Sequence, residues 1–76
     1  MKKVLDKELI VIGRRVEFFR KKKGYSQEML AELIGVSGMT ISRIETESTA
    51  MSIQIFIRLM AALDASANEL LGDEAA

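Results

Sequence analysis

Apolar residues in this chain recur at intervals of three and four, the spacing of helices that bury one face. Five such segments follow one another. From Leu9 to about Lys23, the residues Leu9, Ile12, Val16 and Phe19 share a face, with Phe18 left over. Met29, Leu30, Leu33 and Ile34 form a second, shorter stripe, and Ile41 and Ile44 a third. Ile53, Phe56, Ile57, Met60 and Leu63 mark a fourth helix, with Ile55 and Leu59 off the centre of its stripe. That fourth segment is apolar on nearly every side except Gln54 and Arg58, which predicts more than one buried surface. Leu70 and Leu71 anchor a short fifth helix.

The punctuation agrees with this division. Ser26, Ser37, Ser52 and Ser66 each precede a stripe, and a serine oxygen there satisfies an orphan amide of the first turn. Ser66 and Glu69 have the spacing of a capping box. Gly24, with Tyr25 as the hinge behind it, and Gly72 stand where the first and fifth helices should stop, and Asp64 and Ala65 make the turn after the fourth. The charged segment 1–8 reads as a leader that frays or extends the first helix, and 73–76 as a loose tail, around a single domain with its core at 9–72.

Residues 26–46 organise the rest. Two helices of about two turns each are joined at Gly35, where the chain must reverse within three residues and a positive φ is favoured. Ala31 stands four residues before that glycine, small enough for close helix approach, while Ile41 and Ile44 stand six and nine after it. This is the framework of a helix-turn-helix. The second helix leaves Gly38, Met39, Thr40, Ser42 and Arg43 on positions that the core does not need, the face expected to meet DNA.

Composition narrows the choices. With 76 residues and no cysteine, histidine or proline, disulfide staples and the usual zinc sites are excluded and an all-helical domain is favoured. An enzyme is not indicated: there is no phosphate-loop pattern, and Glu28 and Glu32, one turn apart, read as a solvated helix face. Val4 to Ile12 is interrupted by Asp6, Lys7 and Glu8, so it is neither a signal-peptide core nor a membrane span. Eleven basic and eleven acidic residues cancel, yet nine of the basic ones lie in residues 1–23. Arg20, Lys21, Lys22 and Lys23 close the first helix, where they complement its dipole or face phosphate.

The chain resembles the Cro and phage-repressor-like (xenobiotic-response-element-type) helix-turn-helix domains over roughly residues 9–72. The resemblance rests on Arg-Lys-Lys-Lys-Gly-Tyr-Ser-Gln-Glu-Met-Leu-Ala at 20–31, Gly-Val-Ser at 35–37 and Ile-Ser-Arg-Ile-Glu at 41–45. It implies an all-α, five-helix, lambda-repressor-like bundle acting as a transcriptional regulator, a cytoplasmic repressor of bacterial or phage origin that binds double-stranded DNA as a homodimer. No cofactor, metal, small-molecule ligand or membrane partner is implied. Gln27 corresponds to a glutamine that lies against the DNA backbone. Ser37 and Thr40 resemble phosphate or base-edge contacts, and Gly38, Met39 and Arg43 occupy positions like the base-reading ones, Arg43 being able to grip guanine bidentately. Ser42 on the exposed face and the Thr46 hydroxyl complete the expected DNA contacts. Arg20 and Glu45 resemble a pair that locks the reading helix.

Two departures from the family complicate that picture. Gly38 has no side chain to read with, and Glu47 stands in a loop where related domains often carry glycine and a basic residue. They keep open a second expectation, a protein-interaction module of the same fold that binds another regulator in the manner of an anti-repressor or antitoxin. Ile55, Ile57, Met60, Leu70 and Leu71 are the residues expected at a dimer surface.

Overall fold

In a computed structural model, which describes residues 4–72 and side chains from residue 7 onward, the chain forms five helices. They are α1 (Val4–Lys23), α2 (Gln27–Ile34), α3 (Gly38–Thr46), α4 (Ile53–Leu63) and α5 (Ala67–Leu71). α1 is the axis on which α3, α4 and α5 pack, while α2 closes the bundle against α3 and α4. Val16, Leu30, Ile41, Ile44, Leu59, Leu63 and Leu70 are the largest fully buried side chains, each contributing about 1.5–3 kcal/mol relative to exposure. None of the described helices is long and apolar enough to cross a membrane, and no group of three or more metal-ligating side chains occurs among the described residues.

The four serines cap as their positions suggest: the hydroxyls of Ser26, Ser37, Ser52 and Ser66 accept from the amides of Met29, Thr40, Ile55 and Glu69. At α5 the box is reciprocal, because the Ser66 amide donates to Glu69 Oε1 at 2.8 Å. That hydrogen bond holds the Glu69 carboxyl below its ordinary 4.5. The folded state therefore favours ionised Glu69, a contribution complete above the ordinary pKa and lost as pH falls through the lowered one. Glu69→Gln is expected to flatten the acid limb of thermal stability, read from melting curves between roughly pH 3 and 6.

The first helix begins at Val4, so over residues 4–8 the charged segment extends it in backbone; 1–3 and 73–76 lie outside the described residues. Two expectations are corrected. In α2, Leu30, Ala31 and Ile34 are buried, whereas Met29 and Leu33 are exposed. The short helix is rotated toward Ala31, whose small side chain lets it pack closely. In α4 the buried pair is Leu59 and Leu63, and Ile53 and Ile57 lie outside at 73% and 53% exposure. Arg58 is exposed on the outer side of α4, and its Nη1 donates to the Ile34 carbonyl at 3.1 Å, which finishes the end of α2. The expected dimer residues divide accordingly. Leu70 is fully buried, Ile55 and Met60 are half-buried against the core, and only Ile57 and Leu71 remain exposed.

α1 and α3 meet at Gly13. A Cβ there would run into the Ile44 carbonyl and crowd the Glu45 backbone, so the absence of a side chain is what brings the two helices together. Gly13 shares a helix face with Val16 and Arg20, and an isolated glycine inside an otherwise apolar stripe is the sequence sign of such a contact.

Candidate nucleic-acid interface

The helix-turn-helix is set by its turn and its two caps. Gly35 adopts φ 80°, ψ 33°, and its amide and that of Val36 both reach the Ala31 carbonyl, which reverses the chain directly behind α2. Ser37 then restarts it: its hydroxyl accepts from the Thr40 amide at 3.2 Å and lies 3.0 Å from the Thr40 hydroxyl. Ile41 and Ile44 turn into the core, which leaves Met39 and Arg43 on the outer side of α3. Met39 is 61% exposed. Arg43 is exposed, and no hydrogen bond or ion pair engages its side chain among the described residues.

The other expected contact residues are partly committed within the chain. Thr46 donates its hydroxyl to the Ser42 carbonyl at 2.7 Å, while Ser42 itself is half-buried. Gly38 opens α3 beside Glu28, whose carboxylate would lie 3.4 Å from a Cβ at that position. Glu47 ends α3 with its amide on the Arg43 carbonyl at 2.8 Å.

Behind the exposed face sits a buried charge cluster. Arg20 Nε donates to Glu45 Oε2 at 2.7 Å and Nη2 to Oε1 at 3.1 Å, a two-pronged pair whose side chains are 10% and 1% exposed. Nη1 donates to the Tyr25 carbonyl at 2.8 Å, so the same guanidinium also holds the turn into α2. The hydrogen bond to Glu45 raises the Arg20 pKa further. Gln27 joins it: its Nε2 donates to Glu45 Oε1 at 3.0 Å. One amide hydrogen of Gln27 is thereby fixed and the other remains for a ligand. Sequence spacing carries no sign of this third member, because Gln27 and Glu45 are eighteen residues apart and neither needs the other for helix formation.

The basic run closing α1 turns out to be largely engaged inside the chain. Besides Arg20, Lys21 pairs with Glu17 at 2.9 Å, an exposed i,i+4 pair that draws the Glu17 carboxyl below its ordinary value. Lys22 lies 5.9 Å from the centre of the Phe19 ring. Lys22 and Lys23 border a groove that also holds Asp64 and Glu69.

A capped helix pair closed by glycine, with a locked second helix showing an uncommitted arginine, defines a helix-turn-helix domain. The sequence matches the helix-turn-helix family over residues 16–70, and the chain belongs to that family. It is 42% identical over 65 residues to the HTH-type transcriptional regulator SinR of Bacillus subtilis (strain 168), covering 84% of this chain and 59% of SinR. The chain thus spans less than two thirds of the length of that relative. Among solved structures, the restriction-modification controller protein C.AhdI from Aeromonas hydrophila is similar with a TM-score of 0.80 at 31% identity, covering 90% of this chain and 99% of that one. SinR in complex with DNA is similar with a TM-score of 0.72 at 44% identity, covering 79% and 97%.

Proposed function

We propose that this chain is a sequence-specific DNA-binding transcriptional regulator, acting as a homodimer with one α3 in the major groove of each half-site of a pseudo-palindromic operator. The observation that carries this reading is the outer face of α3, where the Arg43 guanidinium is held out without a partner on a helix fixed from behind by Arg20 and Glu45. Similarity to a regulator whose structure includes DNA supports it. A guanidinium so placed suits guanine O6 and N7. Met39 suits a thymine methyl, and Gly38 lets the backbone approach. Gln27 lies at the start of α2, where its remaining amide hydrogen and the exposed helix amides suit one phosphate. Ser37 and Thr40 on one side of that face, and Ser42 and Thr46 on the other, supply further hydroxyls. Two copies would read half-sites about 34 Å apart.

Selection of bound sequences from a random pool, followed by fluorescence anisotropy at several salt concentrations, tests this. Arg43→Ala is expected to reduce preference for the selected duplex over random DNA by about 1–3 kcal/mol per half-site, roughly 5- to 150-fold for each, while hardly moving the salt slope. Were Arg43 a phosphate ligand instead, the slope would fall by ~0.9 per half-site and the preference would stay. Gln27→Ala should weaken all duplexes alike, by about 1.5–3 kcal/mol, with the slope unchanged because the amide is neutral. If no selected duplex binds better than random DNA, the specific-regulator reading fails and the protein-interaction reading takes its place.

A further inference from the structure

One apolar surface of the bundle is left without a covering element. Leu9 and Ile12 of α1, Met51 of the α3–α4 loop, Ile53 and Phe56 of α4 and Leu71 of α5 line an open groove of about 460 Å³, and no charged residue lines it. Ile53 stands at its rim, 73% exposed, with Ile57 one turn further along α4 at 53%. Hydrophobic side chains raised beside an apolar hollow are costly to leave in water and are the mark of an interaction surface.

We infer that this groove and the Ile53–Ile57 ridge are the surface on which a second copy of this chain docks, about a twofold axis. Resting on the homodimer reading above, this names the interface. A twofold contact needs a surface complementary to itself, and here ridge and hollow lie side by side on one face. Two copies meeting there bury no unpaired charge, whereas a charged partner would find nothing in the groove to pair with. Another exposed apolar stripe, Met29 and Leu33 on α2, fits a second copy poorly. Its hollow is lined by Glu32 as well, so a twofold would bring two carboxylates together in a drying contact. Position also agrees. On α1, Ile12 lines the groove while the adjacent Gly13 abuts the end of α3, so a partner seated there is placed beside the reading helix.

Sedimentation velocity on the full chain, over a range of concentrations, decides the matter with Ile53→Lys, Ile57→Lys and Leu33→Lys compared against wild type. All three positions are exposed, and circular dichroism verifies that each variant is folded. Expected is a dimer for wild type and Leu33→Lys, with the dimer dissociation constant raised roughly 100-fold or more in Ile53→Lys and Ile57→Lys, since each substitution enters a symmetric contact twice. A dimer that survives both groove substitutions, or yields to Leu33→Lys, overturns the groove assignment while leaving the homodimer reading intact. Wild type that stays monomeric both free and on a duplex carrying two half-sites overturns the homodimer reading and the assignment with it. A monomer carrying a bound small apolar molecule in native mass spectrometry also overturns the assignment.

Discussion

Gly13→Ala is expected to destabilise this protein by about 1–3 kcal/mol, although alanine is the better helix former. Two effects oppose each other. Removing glycine from a helix interior gains about 1 kcal/mol of propensity. Against it, the new Cβ would collide with the Ile44 carbonyl and press on the Glu45 backbone, and backbone inside two packed helices cannot swing aside as a side-chain end can. α1 and α3 must separate, and the clash outweighs the propensity gain. For a domain of this size each kcal/mol moves the melting temperature by roughly 4–8 °C, so a thermal melt followed by circular dichroism resolves the sign. Gly38→Ala provides the contrast: its Cβ would meet only the flexible Glu28 side chain at 3.4 Å, and its melting temperature should hold or rise slightly. A melting temperature raised in Gly13→Ala would show that the helices have slack at this contact. Because the seam also positions the end of α3, Gly13→Ala should weaken DNA binding as well.

The same contact shows what the sequence makes legible. Helix number, helix order and all four serine caps follow from local rules, because a cap or a stop needs only its own neighbours. Facing is different. α2 and α4 carry apolar residues around most of their circumference, so several stripes satisfy the period equally well, and tertiary packing chooses. It chose Ala31 over Leu33 and Leu59 over Ile57. Arg58 is exposed, as a polar residue suggests, but no local pattern shows that it also closes the end of a neighbouring helix. The site divides in the same way. The turn at Gly35 is a local matter, whereas the hydrogen bond from Gln27 to Glu45 joins two helices and leaves no periodicity to read.

That hydrogen bond underlies the second large expectation, which concerns Glu45. Glu45→Ala would leave the Arg20 guanidinium almost wholly buried, with only the Tyr25 carbonyl still accepting from it. Removing one member of a buried pair costs about 3–5 kcal/mol, a large share of the ~4–11 kcal/mol that a domain of this length holds in total. A denaturant midpoint should fall steeply. The double variant Arg20→Met, Glu45→Leu should recover much of that loss, since apolar side chains of similar size replace a buried pair at little cost. DNA affinity should not recover with it. Gln27 would still lack the acceptor that fixes its amide, and α3 would lose the charged link to α1 and to the Tyr25 turn. Stability and binding are thus expected to separate in the double variant, measured by urea unfolding and by anisotropy on a selected duplex. If the double variant binds like wild type, the cluster supports only the fold. If it stays as unstable as Glu45→Ala, shape rather than charge governs the site. A rescued fold with weakened binding assigns the buried pair its role: holding Gln27 and α3 in one orientation for the duplex.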